Sequence, residues 1–422
     1  MPHRWYNVIP DLSRPLPPPR DPEELGAESR IELLPRLFPD ALIDQEQTSE
    51  RWVEIPTEVF DAYRTLGRPT PLVRLKRLER VLGTRARIYA KREDVNPTGS
   101  HKPNTAVAQA YYARQEGVKK LVTETGAGQW GSAVALASAV MGLRCTVFMT
   151  RSSYLTKPYR RTLMLSFGAE VVSSPSERTE IGRRFLASDP NHPGSLGIAI
   201  SEGVETVLSE ESTKYAVGSV MNFTILHQTV IGLEAMRQME EEGVEPDVII
   251  GCVGGGSNFG GIALPFIGSR LRGEGYERTR IIGVESKGAP RMTTGRYDYE
   301  FVDSAGYLPR LKMYNLGKDF LPPTIHAAGL RYHGLSPIVS LLLREHLIEA
   351  RSYQQEEAFA AALKLTRVEG LLPAPETAHA VSAVLEEAER YRRTNEEGVI
   401  LLCFSGHGLL DLQSYERFLP SE

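Results

Sequence analysis

From Lys120 onward, short apolar runs alternate with stretches in which apolar residues return at helical spacing. Lys120-Leu121-Val122-Thr123-Glu124 reads as a strand, a glycine turn follows, and residues 131–142 and 145–149 read as the next helix and strand. That is one βαβ unit. The alternation continues with a helix over 158–167, a strand over 169–173, a helix over 229–242, and strands over 247–253 and 280–285. Helices over 355–368 and 376–392 precede an apolar strand over 399–404, which ends in Ser405-Gly406-His407-Gly408. Strands this uniformly apolar are buried on both faces, so the pattern predicts an α/β protein with mainly parallel sheets covered by helices. Residues 10–22 break the pattern with the run Pro15-Leu16-Pro17-Pro18-Pro19-Arg20. Proline lacks the N–H that a helix or ladder needs, so this stretch is expected to lie extended as a packing arm, in preference to a linker or a proline-motif ligand.

Composition narrows the function classes. A chain of 422 residues with 41% hydrophobic content has enough core for two domains with a cleft between them. A formal charge of -4, with acidic residues spread along the chain, gives no footprint for nucleic acid. The three cysteines, Cys145, Cys252 and Cys403, lie in separate apolar runs and point to buried thiols in a reducing cytoplasm. The start, Met-Pro-His-Arg-Trp-Tyr-Asn, has no signal-peptide core, and no apolar run is long enough for a bilayer, so neither secretion nor a membrane is expected. Metal-site spacings such as His-Glu-x-x-His or Cys-x-x-Cys are missing, so no metal centre is expected.

Three motifs carry chemistry. The strand over 247–253 runs into Gly254-Gly255-Gly256-Ser257-Asn258, after which residues 261–267 read as the opening of a helix. Glycines let backbone N–H groups close around an anion and the helix dipole favours it, so a phosphate site is preferred over a plain turn. It is neither a Walker loop nor a dinucleotide fingerprint. Glu124-Thr125-Gly126-Ala127-Gly128-Gln129 repeats the strand, turn, helix order, and its N–H groups suit a carboxylate. Glu124, at the strand's C-terminal end, has two readings that residues alone leave open: an acid or base beside that carboxylate, or a glutamate exposed in a loop. Lys102 follows the small-residue turn Asn96-Pro97-Thr98-Gly99-Ser100 and stands between His101 and Pro103. By base rate a lysine is a solvated charge. In this setting, with a phosphate cradle downstream, it is also a candidate to form an imine with pyridoxal phosphate.

Taken together, Gly67-Arg68-Pro69-Thr70-Pro71-Leu72, the turn to Asn104, residues 124–128, the loop 254–258 and Glu369-Gly370-Leu371-Leu372-Pro373-Ala374 resemble the tryptophan synthase β chains, fold-type II pyridoxal phosphate enzymes. The resemblance covers nearly the whole chain. It implies two three-layer domains with the cofactor in the cleft. Residues 1–67 would form the arm and start of the N-terminal domain and 101–219 the rest of it, with its closing region; residues 68–100 and 220–422 would form the C-terminal domain. It further implies that Lys102 is the cofactor lysine and the α-proton base, and Glu124 the acid-base catalyst near the β-hydroxyl of serine and the indole nitrogen. His101, Asn104, Gly254, Gly255, Gly256, Ser257, Asn258, Glu369 and Ser405 would bind the cofactor, Ser405 at its pyridine nitrogen. Thr125, Gly126, Ala127, Gly128, Gln129 and Arg331 would bind substrate, and a monovalent cation could sit near the phosphate loop. The implied reaction makes L-tryptophan from L-serine and indole in a homodimer.

Two positions depart from the commoner β chains. Trp130 stands where they carry histidine, and Gly329-Leu330-Arg331-Tyr332-His333 puts an arginine where they carry an acid near the serine hydroxyl. With the long arm, these resemble the type 2 subgroup, for which a tight complex with an α chain is not expected. Arg331 also opens O-phosphoserine as donor, since a guanidinium binds phosphate bidentately; pairing with a nearby carboxylate is the plainer alternative. Rival readings are a threonine synthase or serine deaminase, and a partner or activator subunit without activity of its own.

Overall fold

Two parallel sheets carry the chain, in a computed structural model that describes residues 1–23, 29–323 and 325–419. In the four-stranded sheet the order is Glu170–Ser174, Arg144–Thr150, Lys120–Thr125, Thr213–Tyr215, every neighbour parallel. In the six-stranded sheet it is Glu349–Tyr353, Arg280–Ser286, Val248–Cys252, Gly398–Phe404, Ala86–Arg92, Leu72–Arg74, with only the last pair antiparallel. Val248–Cys252 and Gly398–Phe404 are buried along their whole length, as central strands covered on both faces must be. The helix Pro375–Thr394 packs on one face, against Val248–Cys252, Arg280–Ser286 and Gly398–Phe404, while Ser257–Leu271 packs against Val248–Cys252 and the helix Val230–Glu241.

Most elements predicted from periodicity are present, with ends shifted by a residue or two. The helix expected to open at 261 starts earlier, at Ser257. Other parts were hidden from the pattern, among them the helix Leu196–Ser209, capped by Ser195 Oγ accepting from Ile198 N at 3.2 Å, the hairpin Arg296–Phe301 with Arg310–Asn315, and the strand Ala86–Arg92. The proline-rich arm packs as expected. Arg20 and Arg310 exchange two backbone hydrogen bonds of 2.9 and 2.8 Å, and the Arg20 guanidinium lies 4.0 Å from the Tyr299 ring centre.

A buried charge network joins the six-stranded sheet to the helix that follows Lys102. Arg68 donates to Glu93 at 2.8 and 3.2 Å, to Glu234 at 3.1 and 2.9 Å, and to Asn104 Oδ1 at 2.8 Å. Lys91 Nζ adds a 2.7 Å bond to Glu234. Burial pushes the Glu93 carboxyl up, but the charges of Arg68 and Lys91 outweigh it and hold the group at about 2. Arg68→Met is expected to destabilise the fold by about 3–5 kcal/mol, because it strands buried carboxylates. A fall in the urea midpoint at constant m-value would show it; a loss below about 1 kcal/mol would mean that the carboxylates find other partners.

Candidate active site

The C-terminal ends of strands from both sheets meet at one cavity, where open α/β sheets hold ligands. Lys120–Thr125 delivers Glu124 and Thr125, Val248–Cys252 delivers Cys252 and the glycine loop, and Gly398–Phe404 delivers Ser405. Lys102 enters from a turn tied to that last strand: His101 N donates to Ser405 O and His407 N to Gly99 O, each at 3.0 Å. Gly99, with φ +69°, must be glycine, since a Cβ there would sit 2.1 Å from the His407 ring. Directly after this turn the helix Pro103–Gln115 begins, with proline at its first position.

Burial pushes the Lys102 amine below the ordinary lysine range, opposed by the charges of Glu376 and Glu124. Glu124 is shifted the other way. Burial raises its carboxyl to about 7, against a hydrogen bond from Tyr215 O–H and the charge of Lys102. An acid and an amine are thus each moved toward neutrality in one cavity, as proton transfer near neutral pH requires. The Trp130 ring centre lies 5.9 Å from Lys102 Nζ, and its indole N–H donates to Thr123 Oγ1 at 2.7 Å, so Trp130 forms part of the wall.

Opposite lies the glycine cradle. A Cβ on Gly254 would meet Gly329 O at 2.5 Å, and one on Gly255 would meet Ser219 Oγ at 2.2 Å, so the backbone alone can form this surface. The helix Ser257–Leu271 starts there and presents its N-terminus. His101 Nε2 is buried without a partner among the described residues, and burial keeps the ring neutral by lowering it to about 3. Ser405 Oγ is 2.6 Å from Thr377 Oγ1 and 3.3 Å from Cys252 Sγ.

A family model described as "pyridoxal-phosphate dependent enzyme" matches residues 63–406. The chain is 59% identical over 416 residues to the tryptophan synthase beta chain of Pyrobaculum aerophilum, covering 99% of both. It is 55% identical over 422 residues to tryptophan synthase beta chain 2 of Methanothermobacter thermautotrophicus, covering 100% of this chain and 97% of that one. The chain belongs to the tryptophan synthase β-chain family. A T.th. threonine deaminase of known crystal structure, 23% identical, shares the fold with a TM-score of 0.59 over 83% of this chain and 96% of that one.

The residues present fit the family's pyridoxal phosphate. The glycine cradle and its helix N-terminus suit the phosphate, the unpartnered His101 Nε2 offers a further polar contact, and Lys102 supplies the amine. Not every residue expected at the site reaches it. His101, Lys102, Glu124, Thr125, Gly126, Ala127, Gln129, Gly254, Gly255, Gly256, Ser257, Asn258 and Ser405 line the cavity. Asn104 does not: its side chain is engaged by Arg68, Glu93 and Gln228. Glu369 also stands off the cavity wall, its carboxylate accepting from Leu78 N at 2.7 Å beside Arg77. Gly128 turns away, its N–H bound to Thr125 Oγ1 at 3.1 Å. Arg331 lies beside the cavity rather than on its wall, with a 3.5 Å contact to Ser153 Oγ.

Glu376 was missed by sequence reasoning. It lines the cavity and accepts from Gln129 Nε2 at 3.1 Å and from Gly329 N at 2.8 Å. An acid in the first turn of a helix reads as a complement to the dipole, which masks this second use. Tyr215, Ser219 and Thr377 were missed as well, because only the tertiary fold brings them here.

The Glu124 carboxyl, raised by burial from 4.5 to about 7, keeps its proton in the folded chain over a range where the unfolded chain has lost it. The stability this contributes is full below pH 4.5 and is lost as pH rises through about 7. In the cofactor-free protein, the advantage in unfolding midpoint of Glu124→Gln over wild type is therefore expected to grow as pH rises across that window. A difference that stays flat with pH would contradict the raised carboxyl.

Proposed function

We propose that this chain joins indole to the β-carbon of L-serine to form L-tryptophan, as a pyridoxal phosphate-dependent lyase. The observation that carries the reading is one cavity holding Lys102, Glu124 and the glycine cradle, in a chain whose relatives are named tryptophan synthase beta chains. When bound, the cofactor supplies a carbonyl for attachment and a ring that accepts the electron pair released at the α-carbon.

The chain's own residues do the rest. Lys102 attaches the cofactor and, once displaced, takes the α-proton as a neutral amine. Its low affinity for a proton follows from burial. The turn from Thr125 to Ala127, with Gln129, receives the amino acid's carboxylate. Glu124, near half-protonated at neutral pH, gives its proton to the departing β-oxygen and holds the indole N–H. Ser405, whose Oγ contacts Thr377 Oγ1, would meet the ring nitrogen of a bound cofactor with a hydroxyl, which would not force a proton onto it as a carboxylate would. The proposal extends to a homodimer in the cytoplasm, a loose or absent α-chain association, and closure of residues 101–219 over the cleft.

Purified protein with pyridoxal phosphate, indole and serine, with and without an α chain, is expected to make tryptophan. Pyruvate formed from serine without consumption of indole would favour a deaminase instead, and inertness toward every donor a partner subunit. Lys102→Ala is expected to abolish turnover and the visible absorbance of covalently attached cofactor. Glu124→Gln is expected to lower kcat by about 10²–10⁴-fold.

A phosphorylated donor is favoured by one observation. Among the described residues Arg331 is half-buried and makes no ion pair, the Glu376 carboxylate supporting its charge only from a distance, so its guanidinium is available to an anion. O-phosphoserine is expected to match or exceed serine, with the advantage lost in Arg331→Ala. A strong preference for serine that persists in Arg331→Ala would exclude this donor.

A further inference from the structure

Arg291 is fully buried, at 0% exposure, and its guanidinium faces main-chain oxygens. Nη1 donates to Ala289 O at 3.0 Å and Leu330 O at 3.3 Å, and Nη2 donates to Val253 O and Gly254 O. No carboxylate forms an ion pair with it among the described residues. The nearby Glu285 has its oxygens engaged by Met292 N at 2.8 Å, Thr293 N at 2.9 Å and Thr293 Oγ1 at 2.8 Å. Buried guanidinium groups are ordinarily matched by acids. Several carbonyl oxygens converging on one positive charge are instead the surroundings that proteins give a dehydrated monovalent ion.

The four carbonyls come from three segments. Val253 and Gly254 form the root of the glycine cradle, Ala289 follows the strand Arg280–Ser286, and Leu330 ends the short turn Ala328–Leu330 on the opposite wall. Cradle and wall are in contact here, since a Cβ on Gly254 would meet Gly329 O at 2.5 Å. A cation at this point holds the cradle in register with the segment that leads into Arg331 and Tyr332. The monovalent ion expected near the phosphate loop therefore has no carbonyl ring to occupy: a side chain has taken it.

We infer that Arg291 is a tethered substitute for a dissociable monovalent cation, a positioning residue that makes the site independent of added potassium, ammonium or caesium. The inference rests on the reading of this cavity as the cofactor site. Arginine keeps its charge at any working pH, and its tether removes the concentration dependence of a free ion.

The test uses holoenzyme at matched ionic strength, in the chloride of a bulky organic cation or of potassium, ammonium, caesium or guanidinium. Initial rate, pyridoxal phosphate affinity by absorbance, and the unfolding midpoint of the cofactor-free chain are followed. Wild type is expected to change by less than about twofold in rate and affinity, whereas Arg291→Ala is expected to lose about tenfold and to regain at least about fivefold with caesium, ammonium or guanidinium. Arg291→Lys, which keeps a charge, is expected to lose less and to respond less. Stimulation of wild type by about fivefold or more with any of these ions would overturn the inference. So would a folded Arg291→Ala that no cation restores, which would mark a packing role alone. If Arg291→Ala does not fold, the wild-type titration and Arg291→Lys decide the matter. Cofactor affinity and unfolding midpoint report on the cation whether or not tryptophan is made, so failure of the proposed reaction is separable from failure of this inference.

Discussion

The pairing of Arg68 with two buried carboxylates, Glu93 and Glu234, sets the position of the turn that carries Lys102. Glu93 directly follows the strand Ala86–Arg92, Glu234 belongs to the helix Val230–Glu241, and the third Arg68 partner, Asn104, lies in the first turn of the helix that Lys102 caps. With Lys91, two positive and two negative charges are sealed together, and their sum is zero. An apolar replacement of matching volume could hold the core as well. What it could not do is fix three elements in one register, because a planar guanidinium accepts its partners only in its own plane and at fixed angles. The polar network gives the Lys102 turn a reference that hydrophobic contact, being non-directional, does not supply.

The same network explains what was legible in the sequence. Strands such as Val248–Cys252 and Gly398–Phe404 announce themselves because both faces are apolar. Ala86–Arg92 does not, since Lys91 and two arginines interrupt it, and only tertiary partners, Glu234 with Thr70 O and Gln238, make a buried lysine tolerable there. Site residues divide in the same way. Lys102, Glu124 and the loop 254–258 stand at strand ends or in turns, where their setting made each a candidate even though Lys102 and Glu124 kept plainer readings. Asn104 and Glu369 stand in equally suggestive motifs, yet their side chains close local networks, which spacing does not reveal. Glu376 shows the converse: a residue with an adequate local reason to exist also reaches the cavity.

The cavity's electrostatics follow from dryness more than from charge pairing. Lys102, Glu124, His101 and Cys252 are each displaced in the direction that favours the neutral form, and burial is the largest cause for all four. In such a site the glycine cradle would meet the cofactor's phosphate with backbone N–H dipoles rather than with a lysine or arginine. Neutral groups can then exchange protons without first stripping water from an ion.

Three buried or half-buried arginines within this framework show that the partner, not the burial, decides the role. Arg68 is matched by carboxylates and is therefore structural, with no capacity left for a ligand. Arg291 is matched by carbonyl dipoles at its two terminal nitrogens, while its Nε has no partner among the described residues and Glu285 supports its charge without forming an ion pair, so its field acts on the cradle root and the opposite wall. Arg331 has no ion-pair partner among the described residues and one long contact to Ser153; burial disfavours its charge and the Glu376 carboxylate supports it from a distance. A half-buried guanidinium held by no ion pair is costly in the empty protein, and an anionic group on a ligand would offset that cost on binding. A neutral serine hydroxyl offers it no charge. The energetic case for the proposed phosphorylated donor is thus the missing ion pair of Arg331, set against the carboxylates that close the pairing of Arg68.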